Sequence, residues 1–445
     1  MRLAPAILAL CAACAEVGEA PPDARIDARV DARPLDAPVD AVVPDADPPP
    51  LYPPDRTQSP VTPAIARALR AIAANDPTLN DKVFEKVGGD TTANAAFFTC
   101  FAGAGVDLGA RADLAPALAF FKQGNAGGVT PFERISEAAK AGQNVTWVLA
   151  GGPAPPAPLD AETGLLLPRY ALVQFGESDV NQISIYQYAA GMLDVVDRLA
   201  AQGVVPILSS VQPQTASAAA DALVPRFNLA ARGIAQGRRI PFVDLHRAVL
   251  PLPQEGLAAD GFHLSVAPAG ACDFSAAGLT FGYSVKNLVA LDALARARSA
   301  LADAPPDLPS ASASASLQGA GSQARPFVIP SLPFTDLRDT STSPNHLWNV
   351  YTPCSAGQNE SGPEYVYRLD LTAAATVRAT VFVRGSVDID VQLLETLAPD
   401  RCVGRNDKEI LVPLAAGTYY LSLDTFVPAD GSPRAGEYVL TVRAE

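Results

Sequence analysis

One short segment of this 445-residue chain pairs two residues that could perform general acid–base chemistry. Asp260 and His263 stand three residues apart, in a loop-like sequence that also contains Gly261. At this spacing the carboxylate can hold one imidazole nitrogen while the other nitrogen faces a substrate. Such a pair also arises by chance, so the elements that position it decide whether it is a site.

The elements around this pair predict an α/β fold. Short apolar runs mark strands, at 83–87, 171–175, 204–208 and 240–243. Longer stretches with helical apolar periodicity lie between or after them, at 184–201, 218–236 and 284–301. Thr62-Pro63 has the residue types that begin a helix. Buried strands joined by helices predict a parallel sheet with helices on its faces.

In such a sheet, functional sites lie in the loops after the carboxyl ends of the strands. The first strand is followed by Gly-Gly-Asp-Thr-Thr at 88–92, and the second by Gly-Glu-Ser-Asp at 176–179. The segment 260–263 comes farther along the chain after the fourth strand. We therefore expect these three segments to meet at one edge of the sheet.

The order and setting of these segments resemble the SGNH/GDSL hydrolases over about residues 82–300. The resemblance implies a flavodoxin-like, three-layer parallel sheet and an activity on ester bonds of lipids or acylated carbohydrates. Asp260 and His263 match the family's last block, and Gly176 with Asp179 matches its third. It also implies a domain over 61–302.

The same resemblance implies three oxyanion donors. Gly142, in KAGQNVTW, is the candidate from the second block, and Gly176 is a further candidate. Ser178 stands where the family has an asparagine, and its hydroxyl can donate one hydrogen bond.

The nucleophile block departs from the family pattern KVGDS-x-TA. Aligned without a gap, Asp90 takes the place of the nucleophilic serine; shifted by one residue, Thr91 does. We favour the ungapped alignment because it matches both flanks. An aspartate in that place would pair with His263 as an ion and remove the base.

Three functions follow from these alternatives. The favoured hypothesis is an impaired or inactive ester hydrolase that acts on or binds acylated surface ligands, such as a small acyl ester or an acylated carbohydrate. The second is an active acyl hydrolase that uses Thr91 with His263 and Asp260. The third is a non-enzymatic surface-binding module.

Residues 326–445 change to period-two alternation, which predicts an antiparallel β-sandwich. The predicted strands are 365–371, 376–383, 387–394, 418–424 and 437–443. The segment from Glu364 resembles bacterial pre-peptidase C-terminal domains, which implies a jelly-roll-like secretion or surface-binding module. Four aspartates could bind calcium, but alternation favours a solvated strand face; they are Asp388, Asp390, Asp407 and Asp424.

The start of the chain predicts export. Residues 1–13 resemble a bacterial lipoprotein signal peptide, with Cys14 as the acylated first residue of the mature chain; an ordinary signal peptide is the alternative. We expect a lipid-anchored protein of the bacterial cell envelope, at the outer membrane or cell surface. The Asp/Ala/Pro-rich residues 14–60 predict a disordered linker, and 303–325 a second linker.

Four cysteines remain after Cys14, and an even number in an exported chain predicts two disulfides. In the fold that the resemblance implies, Cys100 and Cys272 lie near each other at the site edge, and Cys354 pairs with Cys402. No cluster has metal-ligand spacing, so neither a metal nor another cofactor is expected. His246 is interpreted as a packed or capping residue.

The charge balance limits the partners. The net charge is −14, which argues against nucleic acid because nothing here would neutralise phosphates. No apolar run reaches the roughly 18 residues of a membrane span, so a polytopic membrane protein is excluded and membrane contact is expected only through the lipid anchor. We expect a monomer.

Overall fold

The computed structural model describes residues 50–152, 154–302, 316–354 and 357–445. The predicted signal peptide, Cys14 and most of the first predicted linker lie outside these ranges. Within them, no helix is both long and apolar enough to cross a bilayer.

The α/β domain contains the four strands that the sequence predicts, close to their predicted places. The strands are β1 (Asn80–Gly88), β2 (Pro168–Gln174), β3 (Val205–Ser209) and β4 (Phe242–Val243). The helices are α1 (Pro63–Ala74), α2 (Asp90–Ala93), α3 (Ala115–Phe121), α4 (Val145–Leu149), α5 (Pro158–Leu166), α6 (Asp179–Gln182), α7 (Ile185–Ala201), α8 (Ala218–Arg238), α9 (Leu245–Val249) and α10 (Gly282–Leu301).

The sheet is parallel, with the strands in the order β1-β2-β3-β4. Beyond β1, Ala139 forms a parallel bridge with Gly88, which extends the sheet edge. Every residue of β2 is buried, as expected for a strand covered by helices on both faces. The predicted α/β parallel fold is confirmed.

Local sequence signals explain where the two crossover helices begin. Ser184 and Gln187 form a capping box at the start of α7, and Ser217 caps α8 through the backbone N–H of Ala220. Because right-handed crossovers between successive parallel strands lie on one face, α7 and α8 pack together there. The other face is covered by α1 and α10, which contact each other.

The C-terminal region is a sandwich of two sheets, as predicted. Its strands are β5 (Phe327–Val328), β6 (Phe334–Asp339), β7 (Tyr365–Leu371), β8 (Ala375–Val383), β9 (Ile389–Leu394), β10 (Cys402–Asn406), β11 (Glu409–Leu414), β12 (Gly417–Thr425) and β13 (Glu437–Ala444). The sheet orders are β10-β9-β12-β7-β5 and β11-β8-β13-β6. All pairs are antiparallel except β5 with β7.

The polar face of β9 is buried, so the prediction of a solvated face is wrong. Asp390 is 1% exposed and Gln392 is fully buried. Tyr351, from the irregular segment before β7, covers this face and donates a hydrogen bond to Asp424 on the neighbouring strand. Alternation identifies the two faces of a strand, but it does not show that a loop covers the polar one.

Parts of the two predicted linkers, 14–60 and 303–325, are packed against the domains. Tyr52 is 4% exposed, and its hydroxyl donates to the Ile240 carbonyl at 2.7 Å. Ser59 N–H donates to the Phe242 carbonyl at 2.9 Å. Leu317 is buried in the sandwich core. The ordered domains therefore include residues 50–60 and 316–325, because these segments contribute apolar side chains and backbone hydrogen bonds.

The two domains share an interface along α8. An added Cβ at Gly237 would lie 2.3 Å from Leu337 Cβ, so a small residue is needed where the helix meets β6. Arg238 forms an ion pair with Glu437 at 2.5 Å, and Arg226 pairs with Glu409. These contacts bury the helix against the sandwich.

Candidate active site

The carboxylate of Asp90 lies at the carboxyl edge of the sheet, directly after β1. Its Oδ1 accepts a hydrogen bond from Gly142 N–H at 3.0 Å, and its Oδ2 accepts one from Ser178 Oγ at 2.8 Å. Two of the three predicted oxyanion donors therefore converge on the half-buried Asp90. Asp90 forms no ion pair with His263 among the described residues, so that expectation is wrong: neutral donors hold the carboxylate instead.

The loop before α4 aims the Gly142 N–H at this carboxylate. Gly142 has φ +75°, a left-handed conformation that favours glycine. Gln182 donates from its side-chain amide to the Gly142 carbonyl at 3.0 Å and accepts from Asn144 at 2.8 Å. Gln182 thus fixes the loop that carries the Gly142 N–H, through its bonds to Gly142 and Asn144.

Gly176 does not take part as predicted. Its N–H donates to Asp179 Oδ2 at 2.8 Å, and Val145 N–H donates to Asp179 Oδ1 at 2.8 Å. Burial raises the pKa of Asp179 to about 6 despite these two donors. The Gly176 N–H therefore stabilises the turn after β2, and it has no hydrogen left for an oxyanion.

Thr91 is fully buried and points into the protein. Its hydroxyl donates to Glu177 and accepts from Lys286 Nζ at 2.6 Å, and its N–H donates to Glu177 at 3.1 Å. The described side-chain contacts of Thr91 do not include His263. These contacts contradict the prediction of Thr91 as a nucleophile.

Below Thr91 lies a buried pair of titratable groups. Burial raises the pKa of Glu177 and lowers the pKa of Lys286 to about 7. Lys286 Nζ donates to Gln174 Oε1 at 2.5 Å and lies 4.5 Å from the centre of the Phe97 ring. Nothing in the sequence indicates that Lys286 is buried beside Glu177, because this lysine lies within an apolar helical pattern. Glu177, in contrast, lies in the segment 176–179, which the sequence predicts to be part of the site.

Asp260 and His263 form the predicted pair. His263 Nδ1 lies 2.7 Å from Asp260 Oδ2, while Asp260 Oδ1 accepts the backbone N–H groups of Phe262 and His263, both at 3.0 Å. The hydrogen bond from His263, followed by the two backbone bonds, lowers the pKa of Asp260 to about 2. The side chains of His263 and Asp260 are 43% and 51% exposed, so this pair is open to solvent.

Both predicted cysteine pairs lie at disulfide distance. The Cα atoms are 5.7 Å apart for Cys100–Cys272 and 5.6 Å apart for Cys354–Cys402. Asn287 reinforces the first link, because its side chain accepts from Phe98 N–H at 3.0 Å and donates to the Ala271 carbonyl at 2.9 Å. The loop after Asp90 is thus tied to the loop after His263.

These residues form an acid–base pair without a matching nucleophile. Asp260 orients His263, while two of the predicted oxyanion donors, Gly142 N–H and Ser178 Oγ, are bonded to Asp90. In the described ranges, no group of three His, Cys, Asp or Glu side chains is placed to hold a metal ion.

Comparisons with known proteins give matches among solved structures alone. No family model matches the sequence, and no curated protein matches it. A GDSL-like lipase from Bacteroides thetaiotaomicron is similar at 14% identity, over 52% of this chain and 99% of that chain, with a TM-score of 0.32.

A catalytic mutant of an acetylxylan esterase from Geobacillus stearothermophilus is similar at 15% identity, over 48% of this chain and 95% of that chain, with a TM-score of 0.33. The pre-peptidase C-terminal domain of a Bacillus anthracis collagenase is similar at 15% identity, over 26% of this chain and 92% of that chain, with a TM-score of 0.18. GDSL and pre-peptidase C-terminal are also the names of the two families that the sequence resembles.

Proposed function

We propose that the α/β domain is an esterase-like domain that binds acylated ligands and does not hydrolyse them. The observation that carries the proposal is the position of Asp90, whose carboxylate accepts hydrogen bonds from Gly142 N–H and Ser178 Oγ.

This arrangement opposes ester hydrolysis in two ways. First, the donors that would stabilise a tetrahedral oxyanion are already bound to a negative charge, and one such donor contributes on the order of 10²–10³ in rate. Second, the half-buried Asp90 carboxylate would repel a developing oxyanion beside it. In the described ranges, the Thr91 hydroxyl is bonded to Glu177 and Lys286, so it is not available for His263 to deprotonate, and Asp90 occupies two of the predicted oxyanion donors.

Binding is compatible with the same geometry. Asp260 holds Nδ1 of His263, which leaves Nε2 of the half-exposed ring for a ligand hydroxyl or carbonyl. With the predicted lipid anchor at Cys14, the domain would present this site at the cell envelope. Its ligands would be small acyl esters or acylated carbohydrates.

The test of inactivity is hydrolysis of p-nitrophenyl acetate by the wild type, Asp90→Ser and the double variant Asp90→Ser/Ser178→Asn. We expect the wild type to match His263→Ala. The double variant should gain at least about 10-fold, because it restores a hydroxyl nucleophile and a stronger oxyanion donor. Adding His263→Ala should abolish that gain, and Asp55→Ser, at an exposed site, is the charge-matched control.

Wild-type turnover that is lost in His263→Ala would overturn the proposal.

Binding is tested separately by saturation-transfer NMR with triacetin and with glycerol as the unacylated control. We expect a triacetin signal that weakens in His263→Ala, and equal signals for triacetin and glycerol would reject acyl recognition.

A further inference from the structure

A cavity lies at the interface between the two domains. Its volume is about 370 Å³, within the range of small-molecule pockets. The α/β domain contributes α8 and the region around β4, and the sandwich contributes the end of β13 and the segment before β6. Phe242 and Leu229 form part of its apolar wall.

Arg232, on α8, lines this cavity without an ion-pair contact to any carboxylate in the described ranges. The residue is buried, with 6% of its surface exposed. One guanidinium nitrogen donates to the Pro333 carbonyl at 3.1 Å, while Nε has no hydrogen-bond partner in the described part of the chain. No described carboxylate forms an ion pair with Arg232. A buried charge without a counter-charge is costly, so buried charges are normally paired.

The other interface arginines of α8 show what the usual arrangement is. Arg226 pairs with Glu409, and Arg238 pairs with both Asp197 and Glu437. Arg232 lies between these two residues on the same helix and faces the cavity instead. Burial lowers the pKa of Arg232 to about 10, so the guanidinium stays charged at neutral pH.

The wall nevertheless carries more positive than negative charge. Arg232 and Arg443 share it with one carboxylate, Asp244, whose charge raises the pKa of Arg232 but which forms no ion pair with it among the described residues. Asp244 Oδ1 is engaged by Ser210 Oγ at 3.1 Å and by Arg247 N–H at 3.0 Å, where it caps α9. Burial lowers the pKa of His246, so this ring is neutral near pH 7. Arg443 adds a second cation, which pairs with Glu445 at 3.3 Å.

We propose that this interdomain pocket binds a small organic monocarboxylate, whose carboxylate pairs with Arg232 and whose hydrocarbon part packs against Phe242 and Leu229. The pocket and the esterase-like site are lined by different residues, so this binding does not depend on the function proposed above.

Calorimetry with benzoate, and with benzamide as its neutral counterpart, tests the proposal on the full chain. We expect benzoate to bind at least about 10-fold more tightly than benzamide, since a hydrogen-bonded charge contributes about 1.5–3 kcal/mol. Arg232→Gln should weaken benzoate binding by about 10-fold or more. Arg247→Gln removes an exposed charge nearby and should leave it unchanged.

A steric variant separates loss of binding from loss of the domain contact. Ala444 is exposed at the rim of the cavity, so Ala444→Trp should fill the entrance while keeping Arg232 and the fold. Circular dichroism checks that Arg232→Gln and Ala444→Trp are folded. The proposal fails if the wild type does not bind benzoate, if benzamide binds equally well, or if the folded Ala444→Trp variant binds benzoate as the wild type does.

Discussion

Carboxylates are held out of bulk water in both domains, but by different partners. In the α/β domain, Asp90 accepts from a backbone N–H and a serine hydroxyl. In the sandwich, Arg405 pairs with Asp390 and, at 2.8 Å, with Glu360. Asp90 is half-buried, whereas Glu360 and Asp390 are 2% and 1% exposed.

The difference indicates which carboxylate can be replaced. Neutral donors around Asp90 can bond to water or to another acceptor in its place, so replacing Asp90 should change the chemistry of the site more than the stability of the fold. Arg405 cannot be removed without leaving buried negative charge, so exchange there should change stability. Four predictions test this contrast, in order of decreasing effect.

Arg405→Met should cost about 3–5 kcal/mol in the free energy of unfolding, because the buried Asp390 loses its counter-charge and Glu360 loses a hydrogen-bond donor. Urea denaturation of the full chain measures it. Arg434→Met is the control, since Arg434 pairs with Asp430 at the surface, and it should change stability by less than about 0.5 kcal/mol. Equal losses in the two variants would mean that the buried ion pairs contribute no more than the surface pair.

Loss of the Cys100–Cys272 bridge, in the variant Cys100→Ala/Cys272→Ala, should cost about 2–4 kcal/mol. This bridge joins residues 172 apart, whereas Cys354–Cys402 joins residues 48 apart. The longer loop gains more from closure, so removal of the sandwich bridge should cost about 1 kcal/mol less. The same denaturation assay compares the two double variants. The reverse order would show that native contacts, rather than loop closure, set the effect.

Glu360→Gln should flatten the pH dependence of stability. Burial, then the proximity of Asp390, raises the pKa of Glu360 to about 10 in the folded state. A carboxyl group that keeps its proton when folded favours the native state at low pH, and this contribution is lost as the pH rises from about 4.5 towards 10. Glutamine keeps the uncharged form, so the variant should exceed the wild type by at least about 1 kcal/mol at pH 9.

Urea denaturation at pH 5, 7 and 9 measures this difference. The exposed Glu395→Gln is the control and should follow the wild type. Parallel curves for Glu360→Gln and the wild type would show that Glu360 is ionised in the folded protein.

The sequence predicted the sheet because β2 and β3 contain apolar runs and because serine caps mark α7 and α8. The sequence did not predict that the polar face of β9 is buried, because the segment that covers it, around Tyr351, has no regular apolar pattern. Strand order cannot show which way a side chain turns at the end of a strand. For this reason Asp90 and Thr91, adjacent in sequence, could not be distinguished until the structure placed one at the surface and the other inside.

Asp90→Ser should change the free energy of unfolding by no more than about 1 kcal/mol, the typical net value of a hydrogen bond or two at a partly exposed site. Gly142 N–H and Ser178 Oγ can bond to water once the carboxylate is gone. Denaturation under the conditions used for Arg405→Met measures the change. A loss as large as that of Arg405→Met would show that Asp90 clamps the loops together and would remove the contrast between the two domains. A small change would mean that activity gained after Asp90→Ser reports the chemistry of the position, because the fold around it is intact.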